Sequence, residues 1–316
     1  MFARLREGYK PRPAFEPKAR IIYGIIAIEL TLAVLLFCAL GLRIDGITIP
    51  DKLASAMAII ISSWAARRAG FDRAATWLEA TSLTIVAGFC GWALLYPGTV
   101  WALPYGDWWL SASDKALGFD FSAVYRGTKE WPLGPVYRSF TWQTPVVMLA
   151  LVLYRRDPWP LALAMCISMI VTITIYPFAT AIGPIGYYGL GPPGDWSPTI
   201  EALRDHGIRV IKPKMLVGMV SLPSFHAAVG ALMIWATWPL RISRWPFLLL
   251  NLAMIFTTIP FGEHYLIDVI GGILVAAFAA VISRSIYAQP TRDARRPAEC
   301  PPGSPKFEIE GQLHQT

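Results

Sequence analysis

The sequence predicts an all-α fold, a polytopic bundle of about eight transmembrane helices with short interfacial helices in its outer loops. Of the 316 residues, 55% are hydrophobic and 16% are charged, whereas a soluble domain carries about 25% charged residues. The mean hydropathy is +0.46, and the apolar residues form runs long enough to cross a bilayer. These observations exclude a cytosolic enzyme, a disulfide scaffold and a disordered regulator.

Seven apolar runs are long enough to cross a membrane as helices, which takes about 20 residues each. They cover residues 21–42, 74–96, 136–154, 159–182, 222–240, 245–261 and 265–287. Positive charge decides whether a shorter run, 53–66, also spans. If it does, 18 of the 28 Lys and Arg residues fall on the inner side, whereas omitting it divides them evenly. Because cytoplasmic loops are enriched in Lys and Arg, we expect eight spans with both termini inside.

The remaining segments complete the predicted organisation. Residues 1–20 form a basic cytosolic arm, 21–288 a transmembrane catalytic domain, and 289–316, with five prolines and mixed charge, a disordered cytosolic tail. Two outer loops, 97–135 and 183–220, are long for a compact bundle and are candidates to carry function. The first contains tryptophans that predict short interfacial helices: Trp101, Trp108, Trp109 and Trp131.

Neither the net charge nor the cysteines indicate a further class of partner or ligand. The charge is +7, but the Lys and Arg residues lie mainly between the apolar runs, where membrane topology explains them. We therefore expect no nucleic-acid partner. The four cysteines fit neither a zinc site nor a disulfide framework, and we interpret them as packing residues.

Two of the four histidines lie where predicted spans begin. The segment Ser221-Leu-Pro-Ser224-Phe-His226 opens the sixth span. Serine at a helix start caps free backbone N–H groups, and these groups together with the helix dipole can bind an anion. A histidine one turn into the helix would face that anion. The alternative is a capped helix whose histidine contacts lipid headgroups.

The second histidine is followed by an acid four residues later. His264 and Asp268 therefore share one helix face at the start of the last span. A carboxylate that holds one imidazole nitrogen makes the other nitrogen a better base or nucleophile. Asp268 could instead stabilise the helix dipole. With eight spans, His226 and His264 both fall at the outer membrane surface, which predicts a single site there.

These two segments resemble a known family. Pro223-Ser224-Phe225-His226 and His264-Tyr-Leu-Ile-Asp268 are similar to the second and third signatures of the PAP2 (type 2 phosphatidic acid phosphatase) superfamily, closest to its inositolphosphotransferase branch, which includes inositol phosphorylceramide synthase. The resemblance covers about residues 137–287. It implies a six-helix core in which His264 attacks phosphorus to form a phosphohistidine, Asp268 orients His264, and His226 protonates the departing oxygen. Ser224 and nearby amides would hold phosphate oxygens, without a metal or cofactor.

The sequence departs from the family at its phosphate-binding cations. The first signature, Lys-x6-Arg-Pro, is missing, because the nearest string, Lys129 to Arg138, has the wrong spacing. The arginine expected six residues before His264 is Thr258. Candidate substitutes in the outer loops are Arg209, Lys212 and Lys214, with Arg126 and Lys129 as further candidates. All of them could instead be solvated loop charges. Ser221 is a further phosphate-binding candidate, and Tyr187 and Tyr188 could line a headgroup pocket.

The sequence thus predicts a membrane enzyme that moves a phosphoryl-containing headgroup between lipids, with a lipid donor and a lipid alcohol as its partners. We expect it in a bacterial inner membrane with the site on the periplasmic side. Three alternatives stay open. They are a PAP2 phosphatase that uses water as acceptor, a zinc enzyme, which the lack of His-Glu-x-x-His disfavours, and a non-catalytic lipid transporter, which would show repeat halves. The oligomeric state is not predicted.

Overall fold

The computed structural model describes residues 13–45, 49–191, 197–205, 207–212 and 222–288, and within them the chain is almost entirely helical. Its helices are α1 (Arg20–Leu40), α2 (Ile49–Arg68), α3 (Asp72–Ala93), α4 (Leu95–Val100), α5 (Asp107–Ala116), α6 (Phe121–Thr128), α7 (Gly134–Tyr137), α8 (Phe140–Leu153), α9 (Trp159–Ile175), α10 (Pro184–Tyr187), α11 (Ser197–Arg204), α12 (Phe225–Thr237), α13 (Arg244–Thr257) and α14 (Leu266–Ala288). Most of the predicted arm and all of the predicted tail lie outside the described residues.

The apolar helices are those of a multi-pass membrane protein. Four are long and apolar enough to cross a membrane: Pro17–Leu40, Asp72–Val100, Trp159–Phe178 and Leu266–Ala288. Three shorter apolar helices, α8, α12 and α13, coincide with the other predicted spans. A helix of 14 residues such as α8 reaches about 21 Å, less than the ~30 Å of a hydrocarbon core. The count of eight spans therefore stays a prediction.

Helix α2 covers the short predicted span and extends beyond its apolar run, residues 53–66. α2 has 20 residues, and its end is joined to α3 by a buried ion pair, in which Arg67 Nη2 lies 2.6 Å from Glu79 Oε2. Arg67 Nη1 also contacts Glu16 at 3.2 Å, and the Tyr23 hydroxyl donates to Glu79 at 3.3 Å. Glu79, to which the sequence assigned no role, thus joins α1, α2 and α3 at one end of the bundle.

Close helix packing sets α12 beside both of its neighbours. A Cβ on Gly272 of α14 would overlap the backbone carbonyl oxygen of Ser224, which caps α12. A Cβ on Gly230 of α12 would lie 2.8 Å from the side chain of Ile255 on α13. Glycine permits such close approaches because it has no Cβ. The first turns of α12 and α14 are therefore held together at one level.

Short helices occupy the described parts of both predicted outer loops. They are α4 to α7 in the first loop and α10 and α11 in the second. Three of the tryptophans predicted to anchor the first loop, Trp101, Trp108 and Trp131, are between 55% and 68% exposed. The strand pair β1 (Arg43–Ile44) and β2 (Val210–Ile211) is parallel, and the sequence did not predict it. Two residues a strand are too few to show an alternating pattern.

Candidate active site

The two histidines are brought together by the packing of α12 against α14. Ser224 caps α12, where its side-chain oxygen accepts from the backbone N–H of Ala227 at 3.3 Å. The backbone N–H of Ser224 donates to the carbonyl oxygen of Asp268 on α14 at 2.9 Å. The first turn of α12 is therefore fixed to the first turn of α14, and His226 and His264 line the same cavity.

His264 and Asp268 form a buried pair. Nδ1 of His264 lies 3.3 Å from Oδ2 of Asp268, and the two side chains are 5% and 0% exposed. The same oxygen accepts from the backbone N–H of Tyr265 at 3.0 Å. An ionised carboxylate only accepts hydrogen bonds, so Nδ1 of the imidazole carries the proton in this pair. Nε2 then keeps its lone pair, as a nucleophile or base requires.

His226 is held between two aromatic rings. Its ring stacks on Tyr137 with centroids 4.3 Å apart and an interplanar angle of 16°, and it meets Phe140 edge-on at 4.5 Å. Nδ1 lies 3.4 Å from the Tyr137 hydroxyl. Nε2 is buried and has no hydrogen-bond partner in the described part of the chain. The ring is thus fixed in orientation, with one nitrogen left for a ligand.

The histidines line a cavity of about 1180 Å³. It is larger than the roughly 300–1,000 Å³ of a site for a drug-sized molecule. Two cations line it as well, Lys129 after α6 and Arg138 after α7. Arg138 lies over the Phe261 ring at 5.8 Å, and Lys129 lies 3.8 Å from the exposed carboxylate of Glu130. The cavity therefore combines two imidazoles with two cations and with Glu263, which also lines it.

The predicted cations of the second loop are not at this cavity. Arg209 donates to the carbonyl oxygen of Leu40 at the end of α1, and Lys212 is exposed just after β2. Neither lines the cavity, and their predicted role in place of the missing family cations stays a prediction. Arg209 is used to cap a helix C-terminus, where a positive charge is favourable. Lys214 and Ser221, predicted to bind phosphate, lie outside the described residues.

Three further predicted ligands also have other roles. Ser224 is fully buried as the cap of α12 and does not line the cavity. The Tyr188 hydroxyl is hydrogen-bonded to Ser111 at 2.8 Å, and Tyr187 is 43% exposed. Neither tyrosine lines the cavity. The structure thus places these three side chains outside the cavity, and their contacts with a headgroup or a phosphate stay predictions.

Two carboxylates on α5 position the segment around His264. Asp114 accepts from the backbone N–H groups of Leu266 and Ile267 at 2.9 Å each. Asp107 accepts from the Tyr265 hydroxyl at 2.8 Å and from two backbone N–H groups before α10. Burial raises the pKa of both carboxyls, and the hydrogen bonds that they accept act against that rise. Neither residue was predicted from the sequence, because partners about 70 to 160 positions away leave no local pattern.

The described residues contain no group of three or more His, Cys, Asp or Glu side chains that could hold a metal ion. The zinc alternative therefore lacks a ligand set in this part of the chain.

Comparison with known proteins gives one match. The family model described as PAP2 superfamily matches residues 108–282, which is more than half of the chain and includes His226, His264 and Asp268. Helices α1 to α3 precede the matched region. No curated protein and no solved structure matches the chain.

Proposed function

Because the chain belongs to the PAP2 superfamily, we propose that it is an integral-membrane phosphotransferase that moves a phosphoryl-containing headgroup between lipids through a phosphohistidine at His264. The observation that carries the proposal is the cavity lined by His264, His226 and two cations, with Nδ1 of His264 held by Asp268 behind it. Apolar helices surround this site, which suits a lipid substrate. The positive-inside distribution of charge supports a site on the outer face of a bacterial inner membrane.

In the first step, Nε2 of His264 attacks the phosphorus of the donor lipid. A nitrogen–phosphorus bond forms, and the bond from phosphorus to the lipid oxygen breaks. Asp268 accepts the Nδ1 hydrogen bond of His264 and stabilises the positive charge that develops on the imidazole. If the Tyr137 hydroxyl donates to Nδ1 of His226, the proton of His226 is on Nε2. That proton passes to the departing oxygen and gives a lipid alcohol.

In the second step, the hydroxyl of an acceptor lipid attacks the phosphohistidine. Nε2 of His226, now without its proton, takes the hydroxyl proton, and the nitrogen–phosphorus bond breaks. Both histidines return to their starting states, so the cycle consumes one lipid alcohol and releases another. A low-dielectric site with little water favours the lipid hydroxyl over hydrolysis. The phosphatase alternative follows the same steps with water as acceptor.

Lys129 and Arg138 are proposed as the cations that bind the phosphate oxygens. Both line the cavity with the histidines, and within the described residues neither is engaged in a buried ion pair. Pre-positioned positive charge stabilises the negative charge of the transition state. An arginine also offers two parallel N–H donors that match phosphate geometry.

Replacing Arg138 with alanine is expected to lower kcat/KM by about 10 to 100-fold, the effect of losing a hydrogen bond between charged groups. Arg138→Lys should retain part of the activity, because it keeps the charge and loses the bidentate donors. Arg126→Ala is the control, since Arg126 is exposed on α6 and does not line the cavity. Steady-state kinetics on all three variants measure the effect. Equal losses in Arg138→Ala and Arg126→Ala would contradict the assignment.

Replacing His226 with alanine is expected to slow turnover of a lipid donor by about 10² to 10⁴-fold, as for removal of a general acid. A nitrophenyl phosphate ester has a leaving oxygen that needs little protonation, so the first step from this ester, measured as the burst of nitrophenol in a single turnover, should slow by less than about tenfold. Comparing the two substrates on one variant measures the role of His226 directly. The same loss for both leaving groups would show that His226 is not the proton donor.

The proposed function is tested with purified protein in detergent and a phospholipid radiolabelled in its phosphate. Reactions contain added diacylglycerol, added ceramide or neither, and His264→Ala is the control. We expect label in a new lipid that depends on the added acceptor. Release of a water-soluble labelled product alone would favour the phosphatase alternative. Label that moves equally in His264→Ala, or in neither protein, would contradict the proposal.

A further inference from the structure

The cavity extends far beyond the histidines, into the half of the bundle built by α3, α8 and α9. We name this extension the deep arm. Its wall on α3 includes Thr84, Gly88 and Trp92, continues to Leu95 at the start of α4, and is closed by α9 with Met165, Cys166 and Met169. From Leu95 to Thr84 a helix descends about 16 Å, roughly half of a ~30 Å hydrocarbon core. The deep arm therefore reaches from the catalytic level towards the middle of the bundle.

The deep arm is open to the side between α3 and α8. Ile85 of α3 lines it and is 50% exposed, and Thr141 of α8 lines it and is also exposed. Nearer the start of α3, the two helices are in contact, because Trp77 Nε1 donates to the carbonyl oxygen of Pro145 at 2.9 Å. Ile85 and Thr141 thus lie both on the cavity wall and at the protein surface, on the two helices that are in contact through Trp77.

Gly88 keeps the deep arm open. A Cβ built on this residue meets no atom within 4 Å, although Gly88 lines the cavity. A glycine inside a helix costs about 0.5–1 kcal/mol relative to alanine, and the open space around this Cβ position shows that packing does not require the glycine. The free space beside it is continuous with the site that holds the histidines.

The wall on α3 is also separate from the family match. That match begins at residue 108, after α3 has ended, so one side of the deep arm is formed by a helix outside the matched region. The histidines, Asp268 and Arg138 lie inside it. The deep arm is therefore lined on one side by a helix that precedes the matched region, and it opens onto catalytic residues that lie inside that region.

We propose that the deep arm binds one alkyl chain of the phosphate-bearing lipid, which enters from the bilayer between α3 and α8 with its phosphate at the histidines. This inference rests on the proposed function, since it names the chain of that same donor. A predominantly apolar wall suits an alkyl chain, and each buried methylene strengthens binding about fourfold. The deep arm then selects donors by chain length, and Gly88 is a specificity-determining residue.

The test compares Gly88→Leu with Gly24→Leu. Gly24 lies on α1, also has no atom within 4 Å of a built Cβ, and does not line the cavity. The probes are non-transferable phosphonate analogues with either hexadecyl or butyl chains, and their affinities are measured on full-length protein in detergent. Leucine at position 88 should weaken binding of the hexadecyl probe by on the order of 10²-fold, because its side chain displaces several methylenes. Binding of the butyl probe should change little.

A hexadecyl phosphonate with a diazirine at the chain end provides a second measurement. In the unsubstituted protein and in Gly24→Leu, the photoproduct should map to α3 or α9 residues of the deep arm. In Gly88→Leu that product should be lost. The proposal is overturned if the two variants bind the hexadecyl probe equally, or if the label maps only to lipid-facing residues outside the deep arm.

These outcomes are separate from those that test the proposed function. The phosphonates are bound and not turned over, so labelling of the deep arm does not depend on phosphotransfer. A protein that labels at α3 or α9 but moves no phosphate would refute the proposed function and keep the deep arm. A protein that moves phosphate between lipids but is not labelled at α3 or α9 would support the proposed function and refute the binding of an alkyl chain in the deep arm.

Discussion

Replacing His264 with alanine is expected to abolish turnover and the covalent phosphoenzyme together. Nε2 of His264 is the proposed attacking atom, and loss of a covalent nucleophile lowers kcat by on the order of 10⁴-fold or more. Alanine removes a ring that is buried in the wild-type protein, but the backbone N–H of residue 264 still donates to Thr258. The first turn of α14 also keeps its bonds to Asp114. We therefore expect the variant to fold.

The measurement is a rapid quench of protein mixed with radiolabelled donor. Phosphohistidine is stable to alkali and labile to acid, so the label should survive only an alkaline quench. His226→Ala is the matched comparison, because it should still accumulate the intermediate from a nitrophenyl ester. Thermal unfolding of both variants checks the fold. Label in His264→Ala protein, or substantial residual turnover, would place the nucleophile elsewhere.

Replacing Asp268 with asparagine is expected to lower kcat by on the order of 10³ to 10⁴-fold, as when an orienting aspartate of a catalytic histidine is made neutral. Oδ2 of Asp268 is the partner of both the Tyr265 N–H and Nδ1 of His264. An amide oxygen at this position can keep both hydrogen bonds but carries no full negative charge, so it no longer stabilises the positive charge that develops on the imidazole as Nε2 attacks.

Asp114→Asn is the control for this substitution. Asp114 is as buried as Asp268 and binds the start of α14, but its carboxylate accepts from backbone N–H groups of that helix rather than from the His264 ring. Its replacement should lower thermal stability and leave the pH profile of kcat unchanged. Asp268→Asn should alter that profile, because the His264 imidazole loses the negative charge beside it. If both variants lose activity to the same extent and show the same pH profile of kcat, Asp268 acts only by stabilising the start of α14.

The sequence predicted the membrane helices well, because each lies in a long, predominantly apolar run. The seven long runs all correspond to helices in the structure. Their lengths were less predictable. The run 159–182 was expected to be one span, but α9 ends at Ile175 and a short 3-10 helix follows it at Tyr176–Phe178. Pro177 removes a backbone donor there, and the apolar residues after it pack as a loop. Apolarity indicates burial, and it does not fix where a helix stops.

The histidines were predictable because their chemistry depends on short-range spacing. An interval of four between His264 and Asp268 places both on one helix face by helix geometry alone. The cations were not predictable in this way. Lys129 and Arg138 are separated by Pro132 and Pro135, and the turn of chain between α6 and α7 brings them to one cavity. A motif with a fixed spacing, such as Lys-x6-Arg-Pro, does not detect two cations that a loop of different length brings together.

Charge along the sequence also favoured a loop whose described cations do not line the cavity. Arg209 and Lys212 are close to His226 in number, and basic residues on the outer side run against topological preference. Their positions near β2 depend on its pairing with β1, more than 160 residues earlier. A strand pair with only two residues in each strand leaves no recognisable pattern in the sequence. Nearness along the chain therefore did not correspond to nearness in space.

The bonds from Asp107 and Asp114 have a consequence for how the protein behaves in membranes of different thickness. Spanning helices change their tilt when the hydrocarbon layer becomes thicker or thinner. The start of α14 is bonded to α5 through Leu266, Ile267 and the Tyr265 side chain, and α5 lies in a predicted outer loop. We therefore expect His264 to keep its position relative to α5 when α14 tilts. A change in membrane thickness is then expected to alter how the lipid reaches the site rather than the relative positions of the reacting groups.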